Sequence, residues 1–429
     1  MPFHDKSRTV LFIAAENPNS IAVLEPVAKE SEKLGWKPIF LSMEKLYPYG
    51  ADIVYQNKGL KFSSIPVGKP IIERNRLRYL KVYYQVRLWA RRYLRRLKPA
   101  LVVTLKNTGV PGLFVLAAKE RKIPTLHVQE AFIVKPKKPS MKMLLSPKFL
   151  GFLFRHIVKI TAALLPPPFD YIKLFAYRLG MLRCNIVAVA GDIWADTFVD
   201  YGIPPRRISI TGSPGYDHLF KNMLHSSVSC TLPPEFKELT GKKIILFAQQ
   251  PLRGAGASSV KDEDMIYRNL IETVSKIDNV ELLIKVHPRD SVEHVKSRIK
   301  AMGLDDGKYH IYKGGSIDEI LPFCSLLITV NSTTFMNALI YNVPVVIIDY
   351  IDMFYKMKII DSGSLMRVKR PEETLTIIKE AVFDHEIRST LIDKGSAVLK
   401  GLSYGTDGKS AQRIAKIVDR LGNKNVSRS

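Results

Sequence analysis

The chain has 429 residues, of which 46% are hydrophobic and 24% charged, with a formal net charge of +25 at pH 7. That length suffices for two domains with cores of their own, and the composition excludes a disordered or low-complexity chain. Its few cysteines, Cys184, Cys230 and Cys324, are odd in number and far apart, which argues against a disulfide framework or a zinc site and fits a reducing compartment.

In chain order, "TVLFIAA" (9–15) reads as a short buried strand, and its apolar run is too short for a secretory signal. "IAVLEPVAKESEKLG" (21–35) follows with apolar residues at helical spacing, closed by Gly35, and "KPIFLS" is the next strand. The same rhythm returns in "ALVVTL" (100–105), a helix over 112–122 and "IPTLHVQ" (123–129), then in "NIVAVAG" (185–191), a helix over 192–201 and "RISITGS" (207–213). Strands alternating with helices predict a parallel sheet covered on both faces. No run of about 18 uncharged apolar residues occurs, so no membrane span is predicted.

Charge is distributed unevenly. From Ile71 to Arg183 there are 24 Lys and Arg against four acids, Glu73, Glu120, Glu130 and Asp170, so this segment carries +20 and the rest of the chain only +5. A field that lopsided points to an anionic partner, either nucleic acid or an anionic membrane surface. Two stretches dominate it: a basic, aromatic helix over 75–99 and the segment 141–183, in which Phe and Leu alternate with Lys and Arg. Each reads either as a core element with a solvated basic face or as a surface that sits on anionic lipid.

A boundary falls in 217–241, an irregular stretch with Pro233-Pro234. A second alternating unit then runs through "KKIILFAQQ" (242–250), a helix over 263–277, "VELLIKV" (280–286), a helix over 291–302, "YHIYKG", the short helix "SIDEILPFC", "LLITV", the helix "STTFMNALIYN" and "VPVVIID". From Glu372 onward the chain is mainly helical. The predicted organisation is therefore 1–216 as a first domain, 217–241 as a linker, 242–403 as a second domain, and 404–429 as a C-terminal helix and tail.

In open parallel sheets, ligands bind beyond the carboxyl ends of the strands. Three strands of the second domain end in groups suited to a diphosphate: Gln249 with "RGAGASS" and Arg253 after it; Lys285, His287, Pro288 and Arg289; and Asn331, Ser332, Thr333 and Thr334, which open a helix. Small hydroxyl residues at a helix start offer free N–H groups to an anion. Alone, the helix start reads more readily as an ordinary cap and His287 as a satisfied strand-end histidine; on neighbouring strands the three loops favour a candidate shared site. "KDED" (261–264) contains Asp-x-Asp, which reads as decoration of a helix start, so no metal is predicted.

"IKVHPRD" followed by "GSIDEILPFCSLLITVNSTTFMNALIYNVPVVIID" resembles the C-terminal half of GT-B-fold glycosyltransferases of surface-polysaccharide type. It is similar also to UDP-N-acetylglucosamine 2-epimerases and teichoic-acid polymerising enzymes. "ITGSPGYD" (210–217) resembles the interdomain segment of that group and "YGTDGKSAQRIAKIV" (404–418) its C-terminal helix. The resemblance implies two Rossmann-like α/β domains with parallel sheets facing a cleft. Three positions depart from the pattern: the Glu that commonly binds the nucleotide ribose falls on Asn337, the Gly before Pro on Asn342, and an acid before "LLIT" on Cys324.

The resemblance implies a glycosyltransferase that takes a sugar from a nucleotide-sugar donor to a lipid-linked or membrane-proximal glycan in surface polysaccharide synthesis. His287 would face the diphosphate or the sugar, and Arg289 or Lys285 would offset charge on the leaving nucleotide. No cofactor is implied beyond the nucleotide-sugar substrate. An inverting transfer also needs a base in the first domain, with Glu16, Glu130 and His127 as candidates. The expected location is cytoplasmic, held peripherally on the inner face of the membrane. A nucleotide-sugar 2-epimerase is the alternative enzyme; a basic nucleic-acid-binding protein or a non-catalytic scaffold is the alternative of another class. No nucleic-acid-binding motif supports the former.

Overall fold

The computed structural model describes residues 8–14, 20–66, 76–106, 108–130, 184–224, 232–250, 260–287, 290–304, 308–330, 332–350, 359 and 362–427, with backbone only at 76–80, 260 and 261. The chain divides into two compact units: Met1–His218 with Leu402–Ser429, and Leu219–Gly401.

The first unit contains β1 (Thr9–Ile13), α1 (Ile21–Lys33), β2 (Lys37–Ser42), α2 (Ala51–Asn57), β3 (Phe62–Ser64), α3 (Arg76–Leu97), β4 (Leu101–Thr104), α4 (Gly109–Glu120), β5 (Thr125–Val128), β6 (Ile186–Val189), α5 (Asp192–Asp200) and β7 (Ile208–Ile210). Helix α6 (Asp217–Leu224) leads into the second unit, which contains β8 (Lys243–Ala248), α7 (Val260–Ser275), β9 (Val280–Lys285), α8 (Val292–Ala301), β10 (Tyr309–Tyr312), β11 (Cys324–Thr329), α9 (Phe335–Ile340), β12 (Val345–Ile348), β13 (Met366–Val368), α10 (Thr374–Phe383) and α11 (His385–Leu402). Helix α12 (Ser410–Val426) completes the first unit.

Both sheets are parallel, ordered β3-β2-β1-β4-β5-β6-β7 and β10-β9-β8-β11-β12-β13. Their central strands are largely apolar because both faces are covered. In β1, Leu11 and Ile13 face a core built with α3 and α4, while Val10 and Phe12 face a core built with α1 and α12. The two-residue side-chain period produces this division. In the second unit, Ile245, Phe247, Leu282, Ile284, Leu326 and Ile328 form one face with α7, α8 and α10.

Three short edge or near-edge elements escaped the sequence reading: α2, β3 and β13. In "KFSS" (61–64) the three residues Phe62–Ser64 form a half-buried strand with no apolar run to mark it. "SIDEILPFC" is two 3₁₀ turns, Ile317–Glu319 and Leu321–Phe323, because Pro322 cannot donate to a continuing α-helix.

The C-terminal segment, read as a piece of its own, is built into the first unit. The Asp217 carboxylate accepts hydrogen bonds from the backbone N–H groups of Ser410 (3.0 Å) and Ala411 (2.8 Å), capping α12 from a residue almost two hundred positions away. Trp36 Nε1 donates to Asp419 at 3.0 Å, and Gly422 lies so close that a Cβ there would sit 2.4 Å from the Trp36 ring.

Helix α3 follows the core reading over its described side chains. Val82, Tyr83, Val86, Ala90, Tyr93 and Leu94 are buried against the first unit's core. Arg87 is fully buried and pairs with Glu120, which also pairs with Arg91 at 2.9 Å. Lys81, Arg92, Arg95 and Arg96 remain on the exposed side. The segment 141–183, where the lipid-facing expectation is strongest, lies outside the described residues.

Candidate functional site

Strand order reverses once in each sheet, between β1 and β4 and between β8 and β11. Ligands of doubly wound sheets bind where the order reverses, outside the carboxyl ends of the strands. In the second unit, Gln249 follows β8 and Ser332–Thr334 follow β11, so the predicted residues flank that reversal. His287 follows the adjacent β9, about 10 Å from β11 at two strand spacings.

Gln249, 6% exposed, ties two strand ends together. Its Oε1 accepts from the His287 backbone N–H at 2.8 Å, its Nε2 donates to Asp290 Oδ2 at 3.0 Å, and its own N–H donates to the Lys285 carbonyl at 3.1 Å. Asp290 also accepts from the Ser291 N–H (2.9 Å) and meets His294 Nδ1 at 2.7 Å. Burial opposes ionisation of Asp290, but the hydrogen bonds from His294, Ser291 and Gln249 outweigh it and hold the carboxyl below its usual range. Gln249 is therefore a positioning residue, and the half-buried His287 is set by its own backbone contact.

Lys285 differs from its expected role. Its ammonium donates to the Gly314 carbonyl and to that of Gly315 (3.1 Å), and it lies 4.6 Å from the Tyr312 ring centroid. Burial lowers its pKa, against the pull of Glu319. This cation is committed to the loop after β10 and orders it.

The helix start after β11 is also narrower than expected. The Ser332 N–H donates to Thr329 Oγ1 (3.4 Å) and the Thr334 N–H to Ser332 Oγ (3.3 Å). The N–H of Thr333 has no such partner among the described residues, and Thr334 Oγ1 is buried without a hydrogen bond there. Of these two groups only the N–H of the exposed Thr333 is presented at the surface.

Asn337, where the resembling enzymes carry a carboxylate, donates through Nδ2 to Asp318 Oδ1 at 2.6 Å. Ser316 Oγ donates to the other oxygen, Asp318 Oδ2, at 2.7 Å. The site thus has a carboxylate beside α9, supplied by the 3₁₀ turn of the loop that Lys285 orders. The sequence reading missed Asp318 and Asp290. Asp318 stands two residues after the capping Ser316, which is the signal of a turn and nothing more.

In the first unit, Glu130 follows β5 and accepts a hydrogen bond from Ser20 Oγ, just before α1. It is half-buried at the carboxyl edge of the sheet. His127 lies within β5, 3% exposed, with its ring 6.4 Å from that of Phe198. Burial lowers its pKa to about 4, and Nδ1 has no hydrogen-bond partner among the described residues. It is a neutral core histidine, without the solvent access an acceptor's base requires. Glu16, Arg253, Arg289 and Asn331 lie outside the described residues.

No protein-family model matches the chain, and no curated protein matches it in sequence. Solved structures do match in fold. UDP-GlcNAc 2-epimerase from Neisseria meningitidis, bound to UDP-GlcNAc, has 13% identity and a TM-score of 0.64, covering 96% of this chain and 99% of that one. The S. aureus MnaA–UDP structure has 12% identity and a TM-score of 0.65, covering 97% of each chain. A glycosyltransferase from Rickettsia africae has 13% identity and a TM-score of 0.60, covering 97% of this chain and all, 100%, of its own. Together with the two parallel sheets, these define the chain's architecture as the GT-B fold, with two Rossmann-like units.

Proposed function

We propose that the chain is a nucleotide-sugar-dependent glycosyltransferase whose donor binds the second unit. The observation that carries this reading is the set of polar groups at and beside the β8/β11 reversal: His287 after the adjacent β9, the Thr333 N–H and the Asp318–Asn337 pair. His287 and the Thr333 N–H suit the diphosphate, and the carboxylate of Asp318 suits a pair of ribose hydroxyls. The neighbours that bind UDP or UDP-GlcNAc support the donor class.

Transfer by direct displacement needs a base that takes the proton of the acceptor hydroxyl, and among the candidates Glu130 is the half-buried carboxylate that follows β5. The acceptor oxygen bonds to the anomeric carbon as that carbon's bond to the diphosphate oxygen breaks. Donors at the strand ends then stabilise the charge gathering on the nucleoside diphosphate. The uneven charge of 71–183 favours a glycan acceptor carried at an anionic membrane surface, with the protein bound peripherally. Among the described residues no helix is long and apolar enough to cross a membrane.

A second reading, nucleotide-sugar 2-epimerase, is favoured by the epimerases among the matching structures. One experiment separates the two. Incubation with UDP-N-acetylglucosamine and no acceptor, followed by NMR, should yield no 2-epimer. Appearance of that product replaces transfer with epimerisation.

A further inference from the structure

Beyond β10, the free edge of the second sheet, lies a pocket of about 740 Å³. It is bounded by α8, by the 3₁₀ turn Pro234–Leu239 and by β10 itself. Its volume is in the range of ligand sites, roughly 300–1,000 Å³. None of the residues assigned above to the nucleotide lines it.

Its lining has a definite chemistry. Lys296 and Lys300, one turn apart on α8, and Lys313 after β10 all border it and are exposed. None of these three forms an ion pair among the described residues. Among the described residues, the one carboxylate in the lining is Glu235. His310, also in the wall, is already held between Glu281 (3.3 Å) and Glu238 (3.4 Å). The aromatic part of the wall is rigid: Tyr312 meets Phe236 edge-to-face at 5.0 Å and carries Lys285 over its ring.

We propose that this pocket is a second ligand site, separate from the nucleotide site, which takes an anionic oligosaccharide. Three ammonium groups against one carboxylate select an anion. Lysines are point charges on flexible stems and suit acid groups spaced along a chain better than one planar bidentate group. Glu235 and the Ser297 hydroxyl can meet sugar hydroxyls, while Tyr309 and Tyr312 supply an amphipathic wall. An acidic peptide of Asp and Glu brings carboxylates without the hydroxyls that Glu235 and Ser297 would meet. A nucleic acid needs an open aromatic face for stacking, and the face of Tyr312 toward Lys285 is occupied. The proposal does not depend on which reaction the nucleotide site performs.

The test is calorimetry of the full chain with five probes: trimannuronate, a phosphodiester-linked hexose trimer, maltotriose, hexaglutamate and inorganic phosphate. At least one anionic trimer should bind, at least tenfold more tightly than maltotriose, hexaglutamate and phosphate. Lys296→Glu with Lys300→Glu should weaken that binding at least tenfold without lowering Tm or changing the UDP titration. Both side chains are exposed, so unchanged thermal unfolding confirms an intact fold. Absence of binding by both anionic trimers overturns the proposal. So does equal binding of hexaglutamate or phosphate, or full retention of binding by the double variant.

Discussion

Asn337 and Asp318 are hydrogen-bonded at 2.6 Å, so the carboxylate absent from α9 is present in space, on the turn that precedes β11. Asn337 acts on Asp318 as a donor, leaving the charge on the turn. Asp318→Asn should therefore weaken nucleotide binding about tenfold to a hundredfold, the range for losing a charged hydrogen-bond acceptor. Asn337→Glu should place two carboxylates in contact and lower Tm at neutral pH, with the deficit shrinking as the pH falls below about 5 and one of them protonates. Calorimetry of the first variant and thermal unfolding of the second against pH measure both effects.

Asp217 holds the two leading N–H groups of α12 in a buried setting. Asp217→Ala should cost about 2 kcal/mol, combining a lost cap with two unsatisfied donors. Gly422→Ala should also destabilise, because the new methyl meets the Trp36 ring. Urea unfolding should show lowered midpoints for both; unchanged midpoints would mean that α12 contributes little to the first unit.

His127 is neutral in the fold, with a pKa of about 4 against an ordinary 6.5. The unfolded chain takes up a proton at this position at a higher pH than the folded chain does. Its contribution is therefore complete above about pH 6.5 and is lost as the pH falls from there through about 4, by about 3 kcal/mol in all. His127→Phe should flatten this part of the stability–pH curve. An unaltered slope between pH 6.5 and 4 in that variant would show that His127 is not the group responsible.

The proposed peripheral membrane binding rests on the charge of 71–183, and each Lys or Arg near an anionic leaflet contributes on the order of 1 kcal/mol. The protein should float with vesicles containing anionic lipid, stay behind with neutral ones, and dissociate in part at high salt. Absence from both, with tight salt-sensitive binding to arbitrary DNA or RNA, would transfer the basic surface to nucleic acid.

The doubly wound architecture was legible because both faces of each sheet are buried, which writes strands such as "ILFA" and "LLIT" as continuous apolar runs. The strand-end positions were legible for the same reason: Gln249, His287 and Ser332 are where those runs stop. Roles were less so. Lys285 looks like a free cation in sequence, yet two loop carbonyls 29 and 30 residues away consume it. Glu130 and His127 both stand near a strand end, but only the second points into packed core. The Asp318–Asn337 pair spans 19 residues with no periodicity to announce it, and β3 has no apolar run at all.

Calorimetric titration of UDP, GDP, CDP and CMP tests the central claim most directly. One of the four should bind, with His287→Ala and Asp318→Asn each weakening it at least several-fold while unfolding as the parent does. Failure of all four nucleotides to bind, or unchanged affinity in both variants, would contradict a nucleotide site at the β8/β11 reversal.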